Sequence, residues 1–284
     1  NLVIEKYGPL ILQRGAGSWG ELYRSNFLKF EDPSQRSTDG FRGSNPSDGS
    51  KMTVYIPGSV YDQGGIQRVE SVPDVYDYVD IDYTRFYTIP EQPSNRVVSH
   101  TRQAVYFRPQ TNTQPDYLVM IDRAKSTNTA IVKKWLIHTG FLPQTNGVQT
   151  MINPKHYEST GADEITITNK NSMYPTAHGR LFVKILSPGG VKIVSEYPEI
   201  TDSGDQSYLN QYGDFYVGTW ETRTIPVVPQ TDDIFLHVFQ PADADTTNTM
   251  TPTSRIDGDT MVGAHIKDDL QGHKVAMFSK TEAN

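Results

Sequence analysis

The chain has 284 residues, of which 36% are hydrophobic and 11% aromatic, enough for a large folded core. It carries a formal net charge of −7 and no run of more than two basic residues, which disfavours a nucleic-acid partner, because such proteins present a basic patch. Cysteine is absent, which excludes disulfides, thiolate metal ligands and a cysteine nucleophile, and no stretch of about 18 apolar residues predicts a membrane span.

The first predicted elements are short strands. Leu2–Tyr7 and Pro9–Gln13 flank Gly8 and predict a hairpin or a kinked strand. Lys51–Ile56 alternates between apolar and polar residues, and Val75–Tyr83 alternates over its whole length. This period of two predicts that Val75–Tyr83 is a strand covered on one side only.

Strands dominate the rest of the chain. They are predicted at Val97–Phe107, Tyr117–Ile121, Val132–Thr139, Glu164–Thr168, Gly179–Leu186, Val191–Ser195, Asp214–Thr219, Asp233–Phe239 and Met261–Ile266. Helical periodicity is limited to a turn near Ser207–Tyr212, and the polar segments Asp32–Ser50 and Ala242–Asp259 predict long loops. The fold class predicted is all-β, a large multistranded antiparallel β-sandwich. Residues 1–195 form the main sandwich, and 196–284 form its continuation or a smaller β-subdomain.

Histidines are the first candidates for acid–base chemistry or metal binding. The seven are His100, His138, His156, His178, His237, His265 and His273. The two nearest in sequence are eight residues apart, so no short-range ligand pair exists. His138 and His237 lie in apolar strands and are predicted to be core histidines whose ring nitrogens are satisfied. His178 follows a loop and is predicted to face a cleft.

Carboxylate pairs suggest two further kinds of site. Asp80 and Asp82 share a strand face, and a glycosidase needs two carboxylates set across a sugar, although acids on one face of an exposed strand are more commonly solvated surface charge. The loop acids offer oxygen ligands of the kind that calcium takes, but their spacing fits no EF-hand. These acids are Asp243, Asp245, Asp257 and Asp259.

A series of short apolar segments with polar ends runs along the chain. They are Lys6–Leu10, Arg102–Pro109, Asp116–Arg123, Lys134–Thr139, Gly179–Pro188, Trp220–Pro229 and Phe235–Pro241. Their order and spacing resemble the C-terminal β-sheet domain of the heparinase II/III-like polysaccharide lyases, over nearly the whole chain. The resemblance implies a supersandwich-like fold that, in the family, follows a helical toroid.

The resemblance also implies a function. Such a module belongs to a lyase that cleaves uronate-containing glycans by β-elimination, in which a base removes the C5 proton and a cation or neutralising group offsets the carboxylate. The family's catalytic histidine strand and tyrosine have no counterpart here, and its zinc-binding aspartate and a later histidine correspond to Gln13 and Ser25. Glutamine is a poor zinc ligand. We therefore expect a module that is inactive alone, with unknown catalytic residues and no cofactor, although calcium or zinc can belong to the parent enzyme.

The expected partners are an anionic polysaccharide and a helical toroid domain of the same parent protein. The residues expected to bind substrate are Trp19, Tyr23, Arg24, Asn26 and His178. Among them, Arg24 can clamp a uronate carboxylate through two parallel hydrogen bonds. The alternative is a non-catalytic glycan-binding protein, or a structural, self-assembling surface β-protein. Few lysines, many Thr, Asn and Tyr residues, no Cys and a start at Asn1 favour a processed protein that is secreted, periplasmic or at the cell surface.

Overall fold

The computed structural model describes residues 4–6, 9–11, 28–31, 65–84, 97–109, 111, 114–171, 174–197 and 219–281. Almost all regular structure in these ranges is β-strand. The strands are β1 (Ile4–Glu5), β2 (Pro9–Ile11), β3 (Leu28–Glu31), β4 (Gly65–Val72), β5 (Tyr76–Asp82), β6 (Val97–Phe107), β7 (Tyr117–Ser126), β8 (Val132–Thr139), β9 (Gln144–Thr145), β10 (Val148–Asn153), β11 (His156–Thr160), β12 (Glu164–Asn171), β13 (Tyr174–Ser187), β14 (Val191–Glu196), β15 (Trp220–Pro226), β16 (Asp232–Asp243), β17 (Thr253–Asp257), β18 (Met261–Ile266) and β19 (Lys274–Ser279).

The strands form four antiparallel sheets. One has eight strands in the order β4-β5-β6-β7-β16-β13-β12-β9, and another has six in the order β10-β11-β14-β15-β8-β3. A third sheet contains β17-β18-β19, and β1 pairs with β2 as a small hairpin. The predicted all-β antiparallel architecture is therefore confirmed.

Among the described residues there are two hydrophobic cores, and the larger one lies between the eight-stranded and six-stranded sheets. From the eight-stranded sheet it receives Met120 and Phe239, and from the six-stranded sheet Trp135 and Ile193, all of them buried. Trp135 also stacks on His237 of β16, with ring centroids 3.9 Å apart. Burying aromatic and branched side chains of this size stabilises the fold by about 2 kcal/mol each.

The second core covers the other face of the eight-stranded sheet. Val119 and Val238, in the middle strands of that sheet, pack with Val262, Ala264 and other residues of the three-stranded sheet. The middle of the eight-stranded sheet is thus buried on both faces, which explains the nearly continuous apolar runs of β7 and β16.

Several predicted strands agree closely with the structure. Val97–Phe107, Val132–Thr139 and Met261–Ile266 are β6, β8 and β18 with the same ends, and the N-terminal hairpin is confirmed as the β1–β2 pair. The predicted elements Lys51–Ile56, Ser207–Tyr212 and Asp32–Ser50, with most of Asp214–Thr219, lie outside the described residues.

Two predictions about local structure are wrong. Val75–Tyr83 was predicted to be covered on one side, but Val79 packs on the first core and Tyr78 on the second, so both faces of β5 are half-buried. Ala242–Asp259 was predicted to be a loop, but it contains the end of β16 and the whole of β17. Its Thr- and Asp-rich composition hid a strand at the edge of a small sheet, where polar residues are tolerated.

The proposed division at residues 195 and 196 stays a prediction. β15 lies between β14 and β8, and β16 lies between β7 and β13. The stretch after residue 195 therefore contributes strands to both large sheets. No helix in the described part of the chain is both long and apolar enough to cross a membrane.

Candidate functional site

Four ionisable residues lie directly opposite one another at one end of the six-stranded sheet. His156 pairs with Glu196, Glu196 with Glu221, and Glu221 with His138, on the adjacent strands β11, β14, β15 and β8. Residues opposite one another in antiparallel strands direct their side chains to the same face. The strand order therefore gathers two imidazoles and two carboxylates that are far apart in sequence.

These residues belong to a longer series of contacts, here called the polar chain. Its members are Lys192, Glu158, His156, Glu196, Arg223, Glu221 and His138. Lys192 Nζ lies 2.7 Å from Glu158 Oε1, and the two ring nitrogens of His156 lie 3.2 Å from Glu158 Oε1 and 3.1 Å from Glu196 Oε1. Acidic and basic groups alternate along the whole series.

Arg223 holds the buried half of the polar chain together. Its Nη2 contacts Glu196, its Nε donates to Glu221 Oε1, and Glu221 Oε2 lies 3.5 Å from His138 Nε2. Burial alone would lower the pKa of Arg223, but the carboxylates of Glu221 and Glu196 outweigh burial and raise it. Arg223 therefore stays cationic between two carboxylates that would otherwise repel each other.

The polar chain runs from solvent into the protein. The side chain of Lys192 is 41% exposed, whereas that of His138 is fully buried. At the exposed end, the hydrogen bond from Lys192 lowers the pKa of Glu158. This arrangement supplies fixed charges and hydrogen-bonding groups at the surface and anchors them through buried ion pairs.

Aromatic residues occupy the same end of the sheet. Trp220 is edge-on to Tyr157, with centroids 5.9 Å apart, and edge-on to Tyr197, with centroids 5.5 Å apart. Lys155 Nζ lies 5.6 Å from the centroid of the Tyr197 ring, and the amide of Tyr197 donates to the carbonyl of Lys155. We call Trp220, Tyr157, Tyr197 and Lys155 the aromatic platform. Each ring is half-buried, so its orientation is fixed while part of it meets solvent.

His178 lies in a second polar group, at the ends of β13 and β16. Its Nδ1 is 3.0 Å from Asp243 Oδ1, and that oxygen also accepts the backbone amide of Asp245 at 2.8 Å. The ligand atoms of His178, Asp243 and Asp245 lie within 4.8 Å of one another. Among the described residues, this is the one group of three or more such side chains close enough together to hold a metal ion. Asp243 Oδ1 already accepts two hydrogen bonds, and this local bonding accounts for the geometry.

The other acids considered as ligands or catalysts do not converge on one site. Asp257 forms ion pairs with Arg255 and Lys280 instead of joining Asp243. Asp80 accepts a hydrogen bond from Gln103 at 2.7 Å, and Asp82 accepts the backbone amide of Thr84 at 2.7 Å. These contacts give both aspartates of the suggested glycosidase pair a structural role.

Of the predicted substrate-binding residues, the structure describes His178. Trp19, Tyr23, Arg24 and Asn26 lie outside the described residues, as do Gln13 and Ser25. Sequence reasoning missed the polar chain and the aromatic platform. The only local signal was the segment Trp220–Pro229, in which Trp, Glu and Arg occur close together at a strand start.

A buried charge network lies elsewhere, between β6 and β7. Arg102 Nε donates to Asp122 Oδ1 at 2.7 Å and His100 Nε2 lies 2.9 Å from the same oxygen, so His100 is the donor to this carboxylate. Burial alone would raise the pKa of Asp122, but Arg102 and His100 outweigh it and hold the pKa well below its usual range. The network carries fixed charge inside the sandwich, and its side chains are almost completely buried.

His237 does not behave as predicted. It is fully buried, but neither ring nitrogen has a hydrogen-bond partner among the described residues, so the prediction of satisfied nitrogens is wrong. The ring packs between Trp135 and Phe235 instead. Burial lowers the pKa of His237 to about 3, so the ring is neutral at pH 7.

Comparisons with known proteins find a distant structural resemblance. No protein-family model matches the chain, and no curated protein matches it. A solved structure titled "Heparinase III-BT4657 gene product" matches with a TM-score of 0.49 and 8% identity, and its form with methylated lysines matches with a TM-score of 0.48 and 7% identity. In both cases 96% of this chain is covered, but it spans only 34% of the length of the other chain.

Proposed function

We propose that this chain is the glycan-binding β-sandwich module of a polysaccharide lyase of the heparinase II/III-like kind. It holds a uronate-containing glycan, while residues elsewhere in the parent protein, in a helical toroid, carry out β-elimination. The ordered sequence segments support the family assignment. The aromatic platform is the single observation that carries the binding role. A glycan of this kind is extracellular, in keeping with a secreted, periplasmic or cell-surface protein.

The platform suits a sugar because its rings are fixed before a ligand arrives. Trp220 is held edge-on by Tyr157 and Tyr197, so little side-chain freedom is lost on binding. An aromatic face packs against the apolar C–H face of a sugar, while the tyrosine hydroxyls reach water or polar partners.

Lys155 gives the platform its preference for an anionic sugar. Its ammonium group lies against the Tyr197 ring and is exposed, so it can pair with a carboxylate or sulfate on a bound glycan. The net charge of −7 opposes an anionic ligand at long range, so a local cation must provide the attraction. Contacts of this kind weaken as ionic strength rises.

Binding is tested with the 284-residue chain and heparan sulfate, alginate and a neutral glucan, by isothermal titration calorimetry. We expect Trp220→Ala to weaken binding of the anionic glycans about tenfold, because the stacking surface is lost. Lys155→Ala should weaken it several-fold and flatten its salt dependence. Lys267→Ala, which removes one exposed lysine after β18, is the matched control and should bind as the wild type does. If Lys155→Ala and Lys267→Ala lowered the affinity for the anionic glycans equally, the result would contradict a localised site.

A lyase assay on the same chain tests the proposal that it binds the glycan without cleaving it. Cleavage by β-elimination creates an unsaturated uronate that absorbs in the ultraviolet. We expect no such product from heparan sulfate or alginate, even at high protein concentration. Product formation that follows the protein through purification would refute the proposal that the module lacks the eliminating groups.

A further inference from the structure

Strand β4 forms an unusually exposed edge of the eight-stranded sheet. Gly65–Val72 pairs with β5 on one side and, among the described strands, has no neighbour on the other. Its apolar side chains are open to solvent, with Ile66 66% and Val69 67% exposed. An edge with free backbone groups and exposed β-branched residues is a template for pairing with another strand.

The sequence of β4 is complementary to itself when it runs antiparallel to a second copy. With Val69 opposite Val69 of the second copy, Arg68 faces Glu70 and Glu70 faces Arg68. Arg68 and Glu70 lie opposite Asp80 and Tyr78 of β5, so both point to the same face of the sheet. Opposite charges therefore meet directly across the new pair, which stabilises it, whereas like charges would oppose it.

The side chains of Arg68 and Glu70 are positioned to contact a second copy of β4. Arg68 Nη2 lies 2.5 Å from Glu70 Oε2 within the chain, and Tyr76 donates to Glu70 Oε1, so both charges stand together on the exposed face. The carbonyl of Val72 accepts the amide of Val75 in the turn to β5, so the backbone groups of Arg68 and Glu70, on the same side of the strand as Val72, also face β5. Val69 therefore directs its N–H and C=O to the free edge, where it can exchange two hydrogen bonds with Val69 of the second copy.

We propose that two copies of this chain associate through β4, antiparallel and with the two-fold axis at Val69, which joins two eight-stranded sheets into one continuous sheet. Edge strands usually avoid pairing through bulges and charges. Here the register shift falls between Ile66 and Arg68, outside the three central pairs. The charges match across the axis instead of clashing. A single pair of edge strands forms a small interface, so the dimer is weak and concentration-dependent.

A second copy fits β4 better than an unrelated strand does. The match between Arg68 and Glu70 arises only in the register that places Val69 on the axis, and it uses both charges of the strand. A symmetric pair of this type is closed, because it consumes both edges and does not extend into a fibre. The contact is independent of the aromatic platform, which belongs to the other large sheet.

The experiment is sedimentation velocity over a concentration series, on wild type and three variants. Arg68→Glu and Glu70→Arg each place like charges opposite each other twice in the dimer, and each should raise the dissociation constant at least about tenfold. The double variant Arg68→Glu, Glu70→Arg restores opposite charges in the same register and should return to within about threefold of wild type. Far-UV circular dichroism checks that each variant is folded; all these side chains lie on an exposed edge.

The charge swap separates this proposal from other modes of association. A wild type that stays monomeric at the highest concentration overturns the proposal. Single variants that dimerise as the wild type does show that another surface is used, which also overturns it. A double variant that remains monomeric while the wild type dimerises overturns the Val69-centred register. As a further check, Val69→Lys brings two lysines together on the axis and should abolish the dimer, and an unaffected dimer would refute the proposal.

Discussion

The chemistry of His237 conflicts with its surroundings. It is fully buried between aromatic rings, and its ring nitrogens meet no hydrogen-bond partner in the described part of the chain. Leaving polar atoms in that state costs free energy, and protonating the ring there costs more, since it would bury a charge. This is why the pKa of His237 falls to about 3 from 6.5.

The pH dependence of stability follows from that shift. Below pH 6.5 the unfolded chain takes up a proton at His237, but the folded chain does not until about pH 3, so stability falls as the pH falls through that window. Near pH 4.5 the loss attributable to this residue is about 3 kcal/mol. His237→Phe keeps an aromatic ring beside Trp135 and should lose much less free energy of unfolding between about pH 7 and 4.5 in urea titrations.

The control for this test is Phe239→Leu. Phe239 lies in the same core and does not titrate, so its replacement should lower stability by a similar amount at both pH values. His100 also has a lowered pKa, chiefly from burial, so the His237→Phe protein keeps part of the pH dependence. A pH dependence in His237→Phe as steep as that of the wild type would show that the ring is not desolvated as described.

At the scale of the element, the pairing of β18 with β19 depends on a residue without a side chain. A Cβ on Gly263 would lie 2.0 Å from the carbonyl oxygen of Ala276, a backbone atom of the neighbouring strand. Gly263 lies between Val262 and Ala264, both of which are buried in the second core. The strand therefore cannot shift away without disturbing that core.

We expect Gly263→Ala to lower the free energy of unfolding by about 3 kcal/mol, because the new methyl group forces two paired backbones apart. The matched change is Gly258→Ala, in the turn before β18, where the nearest atom to a new Cβ is 3.7 Å away. That variant should stay within about 1 kcal/mol of wild type. Urea denaturation of both proteins measures the difference, and equal stabilities would contradict the close approach of β18 and β19.

At the scale of the whole molecule, polar contacts tie the three-stranded sheet to the eight-stranded sheet. Tyr117 of β7 donates to Asp268 Oδ2 at 2.9 Å, just after β18. Arg123 of β7 donates through Nε to the carbonyl of Ser279 at 2.7 Å. Together with the second core, these bonds make the small sheet part of the main fold.

Tyr117→Phe removes the hydroxyl and leaves Asp268 without that donor, so we expect a loss of about 1–3 kcal/mol. The eight-stranded and three-stranded sheets share the second core, so the lower free energy of unfolding should affect both sheets together. Hydrogen exchange followed by mass spectrometry should show β16 and β18 losing protection to the same extent. Tyr157→Phe, whose hydroxyl makes only a 3.5 Å contact with Met151 Sδ, is the control and should change little. Loss of protection in β18 alone would show that the small sheet unfolds separately.

The agreement between sequence and structure is uneven for physical reasons. Central strands such as β6, β8 and β18 alternate or run apolar, and their ends were predicted from pattern alone. The edge strands β4 and β10 were not predicted, because a strand with one neighbour tolerates mixed and exposed side chains and loses its periodicity. Of the predicted binding residues, only His178 lies among the described residues, in a group that its local hydrogen bonds explain.

The amino-acid sequence by itself determined the all-β character, since side chains that alternate along a strand report how many of its faces are buried. It could not determine which strands become neighbours. His138, His156, Glu196 and Glu221 are joined by the order of β11, β14, β15 and β8, and Asp122 faces Arg102 because β6 pairs with β7 in one register. Those pairings arise from packing two cores at once, a property of the folded molecule that no local segment contains.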